Sequence, residues 1–274
     1  MSQHNRYAWG AERGRRWLDY LPQLEAMLAP VDKPLLAALQ LDQPYRIADI
    51  GSGGGATSRA AFEAAPSGSE VYGFDLSPDL VAHAKAGAPA GVAFTQADVA
   101  QAEIPAPPFD RLMSRFGVMF FDDPPAAFSR LRSWLAPEGR LAFAVWGPPG
   151  ENPWFTTVCD AVGEVTELLP PEPDSPGPFR YGDPDSLPAL LREAGFDQVE
   201  VRDWQGTLQL GGGFPASQAA EFALGAFSKF RDLLHGAGPE AVASAHHLLQ
   251  ARLAPFERAG TVELAAQVHL VVGR

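Results

Sequence analysis

Residues 46–56 read R-I-A-D-I-G-S-G-G-G-A, an apolar run that gives way to four glycines within five positions. The apolar run is typical of a buried β-strand, and the A-T-S-R-A-A-F-E-A-A of residues 56–65 is typical of a helix. Glycines between a strand and a helix expose backbone N–H groups and the positive end of the helix to a ligand, with no Cβ atom in the way. The stretch therefore predicts a site for a nucleotide-like cofactor.

The alternation of strand and helix continues to residue 146. Strand-like runs are found at E-V-Y-G-F (70–74), V-A-F-T (92–95), R-L-M-S (111–114) and L-A-F-A-V-W (141–146). Ser77 with Pro78, and Asp123 with Pro124, are residue types that begin helices. Strands that alternate with helices favour a parallel sheet covered on both faces. We therefore predict an α/β core over residues 46–146.

Three further segments surround this core. Residues 15–40 show helical spacing broken by prolines, within a first segment of residues 1–45, and residues 147–184 are rich in proline and aromatic residues. A loop as long as the second segment is usually a functional cover or disordered. Residues 185–274 return to the sheet with strand character at V-E-V-R-D-W (199–204) and V-E-L-A-A-Q-V-H-L-V-V (262–272). Between these strands we predict a helical insertion at 214–256, with helices at about 216–234 and 239–254.

The glycine stretch fits two cofactor patterns, the dinucleotide pattern G-x-G-x-x-A and the pattern D-x-G-x-G-x-G, and a plain flexible turn is a third reading. Asp75 lies 20 residues beyond Gly55, at the end of the next predicted strand, where a carboxylate can accept both ribose hydroxyls in either pattern. Asp49, before the first glycine, and Asp98, after the third strand, favour the second pattern. A nicotinamide-dependent oxidoreductase is the alternative, although no Tyr and Lys stand four residues apart at a useful place for hydride chemistry.

Five stretches together resemble the class I S-adenosylmethionine-dependent methyltransferases. They are A-D-I-G-S-G-G-G-A-T, G-F-D-L-S, Q-A-D-V, F-D-R-L-M-S-R-F-G-V-M-F-F-D-D-P and L-R-S-W-L-A-P-E-G-R-L-A-F-A-V-W. The resemblance is closest to the branch related to the ubiquinone and menaquinone biosynthesis methyltransferases. Outside the core, W-G-A-E-R-G-R-R-W, E-N-P-W-F and P-G-P-F-R-Y-G-D-P-D are similar to the same branch. One departure is Glu138, which stands where many relatives have glycine.

The resemblance implies a Rossmann-like sheet of seven strands, mostly parallel with an antiparallel last strand, with helices on both faces and helical lid insertions. Residues 1–45 would form the N-terminal lid. The implied cofactor is S-adenosylmethionine, with S-adenosylhomocysteine as the product. The residues implied to bind it are Asp49, Gly51, Gly53, Gly55, Asp75, Leu76, Asp98, Val99, Ser114 and Arg115, with Tyr7 and Trp17 from the lid. The implied reaction is in-line displacement of the methyl group, which alignment and exclusion of water can accelerate without a covalent nucleophile.

Aromatic residues are the candidates for the acceptor pocket, namely Trp9, Phe116, Trp154, Phe155 and Tyr181, with ordinary packing as the alternative. Such a pocket favours a small hydrophobic or aromatic acceptor and leaves open whether O, N or C is methylated. No catalytic residue can be assigned from the sequence. The catalytic candidates are His4 and His235, as bases that can approach the mouth of the pocket, and Arg115. A non-catalytic module that binds S-adenosylmethionine is a further alternative.

Charge and composition limit the classes of partner and the cellular compartment that can be expected. The 33 acidic and 21 basic residues give a net charge of -12, which disfavours nucleic acid because phosphate binding needs Lys and Arg. The single cysteine, Cys159, cannot form an intramolecular disulfide, and no run approaches the ~18 apolar residues of a membrane span or resembles a signal peptide. We therefore expect a cytoplasmic protein whose partner is a small methyl acceptor, without metal, and a homodimer is left open.

Overall fold

A computed structural model describes residues 9, 12–102, 108–172 and 174–274. The helices are α1 (Glu12–Asp19), α2 (Leu21–Leu28), α3 (Asp32–Leu39), α4 (Ala56–Ala64), α5 (Pro78–Ala86), α6 (Pro124–Trp134), α7 (Pro153–Gly163), α8 (Ser186–Glu193), α9 (Ala216–Ala226), α10 (Ser228–Ala237) and α11 (Pro239–Leu253). The strands are β1 (Arg46–Ile50), β2 (Glu70–Asp75), β3 (Val92–Gln96), β4 (Phe109–Arg115), β5 (Leu135–Trp146), β6 (Glu200–Gln209), β7 (Glu257–Arg258) and β8 (Thr261–Gly273).

One sheet runs through the molecule in the order β3-β2-β1-β4-β5-β8-β6, and the short β7 pairs with β8 outside this path. Strands β1 to β5 pair in parallel. Strand β8 is antiparallel to both of its long neighbours, β5 and β6. The predicted fold class, a mostly parallel Rossmann-like sheet with an antiparallel last strand, is confirmed.

The strand order reverses at β1, because β2 and β3 lie on one side of it and β4 and β5 on the other. In a sheet of this kind the loops that leave the central strands separate to opposite faces, and the crevice between them is the usual ligand site. Strand β1 is buried from Ile47 to Ile50. The glycine stretch that follows it therefore lies at the crevice of the sheet.

Local signals at the helix starts behave as the sequence predicts. The Ser77 hydroxyl accepts a hydrogen bond from the backbone N–H of Leu80 at 3.3 Å and caps α5. The Asp123 carboxylate caps α6 by accepting the N–H of Ala126 at 3.1 Å. These bonds satisfy donors that have no partner inside the helix. Both helices therefore begin beside the carboxyl ends of strands.

The helical insertion between β6 and β8 differs from the prediction in one respect. A single helix was expected over 216–234, but Phe227 has extended dihedral angles (φ -87°, ψ 100°) and separates α9 from α10. The helix expected at 239–254 is confirmed as α11. The break matters because it places the Phe227 ring in the wall of the crevice.

None of the helices formed by the described residues is both long and apolar enough to cross a lipid bilayer.

Candidate functional site

A cleft lies at the carboxyl ends of β1 to β5. One part of its wall consists of the glycine stretch and the residues that follow β2 and β3. The opposite part is aromatic and is formed by residues at the ends of β4 and β5, in α7 and at the break between α9 and α10. The N-terminal helices contribute Trp9, Trp17, Leu24 and Leu28. The cleft therefore joins a polar compartment to an apolar one.

The glycine stretch shapes the polar compartment. Gly51, Gly53 and Gly55 all have left-handed backbone angles, with φ values of 72°, 53° and 82°. A Cβ atom on Gly51 would lie 2.9 Å from the Cα of Gly117, so the loops after β1 and β4 touch through their backbones. A Cβ atom on Gly53 would meet no described atom within 4 Å, and Gly53 lines the cleft. The space beside Gly53 is therefore of the kind that a bound ligand fills.

Two residues that the resemblance implied as cofactor ligands lie behind the wall. Gly55 does not line the cleft, and its absent Cβ makes room for the Phe94 ring, which would lie 2.5 Å from it. The Ser114 hydroxyl donates to the carbonyl oxygen of Ile50 at 2.7 Å and accepts the N–H of Gly117 at 3.2 Å. Gly55 thus packs against Phe94, and Ser114 links the ends of β1 and β4 by hydrogen bonds.

Asp75 ends β2 with its carboxylate directed at the glycine stretch. Oδ2 accepts the N–H of Gly53 at 2.8 Å, and Oδ1 accepts the N–H of Ser77 at 2.8 Å. Burial raises the pKa of this carboxyl, and the hydrogen bonds from Ser77 and Gly53 oppose the rise. Each carboxylate oxygen has a second lone pair for a ligand hydroxyl. Asp75 and Leu76 both line the cleft, as expected for a ribose site.

The end of β3 provides a narrow, mainly apolar wall. Ala97, Val99 and Leu80 line it together with Asp98. The Asp98 carboxylate accepts the N–H of Ala100 at 3.0 Å through Oδ1, which fixes its orientation. Apolar side chains with one oriented acceptor suit a planar heterocycle that carries an amino group.

Asp49 lies beneath the glycine stretch and is only 1% exposed. Its Oδ2 accepts a hydrogen bond from the Ser58 hydroxyl at 2.6 Å. Burial raises the pKa of Asp49 to about 7, and the hydrogen bond from Ser58 opposes this rise. Asp49 therefore changes charge near neutral pH, next to the ligand space.

Ser52 Oγ and Trp9 Nε1 are buried polar atoms of the cleft that have no hydrogen-bond partner among the described residues. An unsatisfied buried polar group is costly and needs an explanation such as a missing ligand or water. Both residues line the cleft, so a polar ligand there would satisfy them. This observation, together with the space at Gly53, shows that the polar compartment fits a nucleoside-type cofactor.

Arg115 ends β4 and is bound by two carboxylates from the N-terminal helices. Its Nη1 donates to both oxygens of Asp32, at 3.1 and 3.0 Å, and its Nη2 donates to Glu25. Burial alone would lower the pKa of the guanidinium, but Glu25 and Asp32 more than offset this and raise it. Arg115 thus stays protonated and is held in place by the two carboxylates.

The apolar compartment is a chain of aromatic rings. Phe116 stacks on Trp146, with ring centroids 4.2 Å apart and an interplanar angle of 11°. Trp146 contacts Trp154 at 4.8 Å, and Trp154 contacts Phe227 at 5.4 Å. The indole N–H of Trp154 donates to Asn152 Oδ1 at 3.2 Å, so this ring presents no unsatisfied donor. All four rings line the cleft, which here can enclose an apolar or aromatic molecule.

Three other predicted site residues do not reach the described wall of the cleft. Phe155 packs behind Trp154 and against Phe179, and is therefore a support. Tyr181 is 2% exposed, and burial raises the pKa of its phenol to about 12. His235 is exposed on α10. The structure therefore places all three away from the described lining of the cleft, in the core or at the surface.

Two of the residues predicted for the lid lie at the cleft. Trp9 and Trp17 line the cleft and contact each other at 5.8 Å, and Trp9 also contacts Phe120 at 5.2 Å. His4 and Tyr7 lie outside the described residues. Sequence reasoning missed Glu25, Trp146 and Phe227 as lining residues. The position of Trp146 at the end of a predicted strand, and Gly225 and Ser228 around Phe227, were signals that could have indicated two of them.

Comparison with known proteins adds an independent finding. Residues 48–143 match the family described as "Methyltransferase domain". Trans-aconitate 2-methyltransferase from Methylobacterium nodulans is 37% identical over 108 residues, which are 39% of this chain and 41% of that protein. The chain spans less than two thirds of the length of the first curated relatives it matches, with 41%, 32% and 62% covered.

Solved structures share the fold at low identity. A putative methyltransferase from an antibiotic biosynthesis pathway of Anabaena variabilis superimposes with a TM-score of 0.61 and 16% identity, covering 91% of this chain and 99% of that one. Phosphoethanolamine N-methyltransferase 2 from Haemonchus contortus, in complex with S-adenosyl-L-methionine, superimposes with a TM-score of 0.53 and 16% identity, covering 89% of this chain and 52% of that one.

The sheet order, the crevice and the matched segment agree with one another. The fold is that of the class I S-adenosylmethionine-dependent methyltransferases, with the antiparallel last strand beside β5. Residues 48–143, which run from β1 into β5, are similar to a methyltransferase domain.

Proposed function

We propose that the protein binds S-adenosylmethionine and transfers its methyl group to a small apolar or aromatic acceptor, with S-adenosylhomocysteine as the product. The observation that carries this proposal is the single cleft that joins the glycine stretch and Asp75 to the ring chain of Phe116, Trp146, Trp154 and Phe227. The comparison structure in complex with S-adenosyl-L-methionine supports the choice of cofactor.

The residues that would hold the cofactor follow from the geometry. Asp75 would accept the ribose hydroxyls, Asp98 and Val99 would contact the adenine, and the backbone at Gly51 and Gly53 would lie beside the methionine part. When bound, the cofactor supplies an electrophilic methyl group on a positively charged sulfur. The chain supplies alignment and excludes water, and well-oriented reactants gain up to ~7 to 11 kcal/mol from alignment.

The lining of the cleft restricts the acceptor. Among the described lining residues there is no histidine, lysine, cysteine or tyrosine. His, Lys and Tyr bases are therefore lacking among the described lining residues. The lining carboxylates Asp49, Asp75 and Asp98 belong to the proposed cofactor site, and Glu25 pairs with Arg115. We propose an acceptor whose nucleophilic atom is already ionised, or is an activated ring carbon, and whose body is flat enough to lie between aromatic rings. The assignment to the branch related to ubiquinone and menaquinone methyltransferases belongs to this proposal and is supported by the flanking motifs.

Binding and transfer measurements separate the candidate functions. Calorimetry with S-adenosylhomocysteine and with NADH should show binding of the first alone, whereas binding of NADH alone would support the oxidoreductase alternative. Transfer of a radiolabelled methyl group to an acceptor in a cell extract, with the product identified by mass, would exclude a non-catalytic module. Failure of S-adenosylhomocysteine to bind would contradict the proposal.

The ribose site has its own test in Asp75→Ala. Loss of charge-assisted hydrogen bonds to the ribose should weaken binding of S-adenosylhomocysteine by about 10- to 100-fold, since each such bond contributes about 1.5–3 kcal/mol. Asp79→Ala is the matched control, because Asp79 is a carboxylate four positions away that does not line the cleft. Equal affinity of the Asp75→Ala and wild-type proteins in calorimetry would remove the ribose assignment.

A further inference from the structure

We infer that Glu25 forms an amine subsite of the cleft, in which its carboxylate accepts hydrogen bonds from the α-ammonium group of the cofactor's methionine part. Arg115 is the positioning residue that holds this carboxylate in place. The inference rests on the proposed function, because it concerns the same cofactor. It adds a ligand from the N-terminal helices to a site otherwise built at the ends of strands.

The sheet order decides which end of the cofactor would meet Glu25. The candidate adenine wall follows β3, the candidate ribose carboxylate Asp75 ends β2, and the glycine stretch follows β1. The next strand in the order is β4, which ends at Arg115. A ligand laid along these strand ends therefore brings the group attached to its ribose 5′ carbon toward Arg115 and its partner Glu25.

The contacts around Arg115 leave Glu25 with a free acceptor. Arg115 Nη2 donates to Glu25 Oε2, and no hydrogen-bond donor contacts Oε1 among the residues that the structure describes. Glu25 lines the cleft, whereas Asp32 does not, and Asp32 Oδ1 also accepts from Thr57 Oγ1 at 3.2 Å. The two carboxylates that bind Arg115 thus differ. Glu25 faces the cleft and has an oxygen without a donor among the described residues, whereas both oxygens of Asp32 accept hydrogen bonds within the protein.

Burial and charge favour a cation at this place. The side chains of Arg115, Glu25 and Asp32 are 7%, 22% and 18% exposed. With one guanidinium and two carboxylates, the group carries a net charge of -1, and Asp49 lies nearby under the glycine stretch. A partly buried carboxylate gains most from a ligand that is positively charged and donates hydrogen bonds. Of the two charged groups on the methionine part, only the ammonium meets both conditions.

Calorimetry with three ligands, at fixed pH and ionic strength, distinguishes binding of the ammonium group by Glu25 from a purely structural role of Glu25. S-adenosylhomocysteine carries both the ammonium and the carboxylate, decarboxylated S-adenosylhomocysteine carries only the ammonium, and 5′-methylthioadenosine carries neither. Glu25→Gln should weaken the first two by about 10- to 100-fold, as expected for a hydrogen bond to a charged group. Binding of 5′-methylthioadenosine should change less than about 2-fold, because its contacts lie at the other strand ends.

Asp32→Asn is the matched control, since it removes the other carboxylate that binds Arg115 and Asp32 does not line the cleft. We expect it to leave the ratio of the affinities for S-adenosylhomocysteine and 5′-methylthioadenosine unchanged. The inference is overturned if Glu25→Gln weakens both ligands equally, which would mark Glu25 as a purely structural partner of Arg115. It is also overturned if Glu25→Gln leaves both unchanged or tightens binding of S-adenosylhomocysteine. If none of the three ligands binds the wild-type protein, the proposed function itself fails.

Discussion

Asp49 should make the stability of the folded protein depend on pH in an unusual direction. Its carboxyl is 1% exposed, and burial raises its pKa from 3.8 to about 7 in the folded state. Between these two values the unfolded chain releases the proton and the folded chain keeps it. The folded state then binds more protons than the unfolded state, so stability is fully present below pH 4 and is lost as the pH rises toward 7.

The size of the effect follows from the pKa difference of about 3 units between 3.8 and about 7. At 1.36 kcal/mol per unit this corresponds to about 4 kcal/mol. Such a loss is a large share of the 5–15 kcal/mol that is typical of a folded domain. Asp49→Asn removes the titration and keeps the shape, and its amide oxygen can still accept from Ser58. The free energy of unfolding of the wild type minus that of the variant should therefore fall by about 4 kcal/mol between pH 4 and pH 7.

Urea unfolding of both proteins, in a buffer series from pH 4 to pH 8 at constant ionic strength, measures this difference. Taking the difference cancels the titration of every shared group that does not interact with Asp49. Asp32 and Asp75, which interact electrostatically with Asp49, contribute to the difference. Above pH 7 the difference should become constant. A difference that is flat over the whole range would refute the reasoning, because it would mean that Asp49 titrates in the folded state as it does in the unfolded chain.

Two further substitutions test the glycine stretch and the C-terminal strand. Gly53→Val places a branched side chain in the ligand space at a φ of 53° and should abolish binding of S-adenosylhomocysteine in calorimetry. The control Gly150→Val, at an open position away from the cleft, should bind normally. Normal binding by Gly53→Val would contradict the proposed role of the glycine stretch. His269→Gln removes a ring that is 2% exposed and whose Nδ1 lies 2.6 Å from Asp203 Oδ1, so unfolding at fixed pH should require about 1–3 kcal/mol less than in the wild type. If His269→Gln and the exposed control His247→Gln have equally small effects on the free energy of unfolding, the contact between His269 and Asp203 contributes nothing to stability.

The parts of the site that lie within a few residues of one another could be predicted from the sequence. The strand, glycine and helix order at residues 46–64 and the caps at Ser77 and Asp123 are formed by neighbouring residues. Their chemistry does not depend on the rest of the fold. Because the carboxyl ends of parallel strands meet at one edge of the sheet, the position of Asp75 in the cleft also followed from the local pattern.

The tertiary structure decided the contacts between distant segments. Arg115 and Glu25 are separated by 90 positions, and no local pattern indicates that they meet. The same is true of Trp146, Trp154 and Phe227, which come from β5, from α7 and from the break between α9 and α10. Similarly, Gly55 looks like a cofactor contact in the motif, yet the ring of Phe94 occupies the space beside it.

The sequence by itself therefore determined the class of fold and the polar half of the cleft, because glycines, caps and strand ends act through local backbone geometry. Only the tertiary structure decided the apolar half of the cleft, the surroundings of Arg115 and the position of Tyr181 and His235 away from the described lining. These features depend on which side chains pack together across the sheet. Packing of that kind is a property of the whole chain.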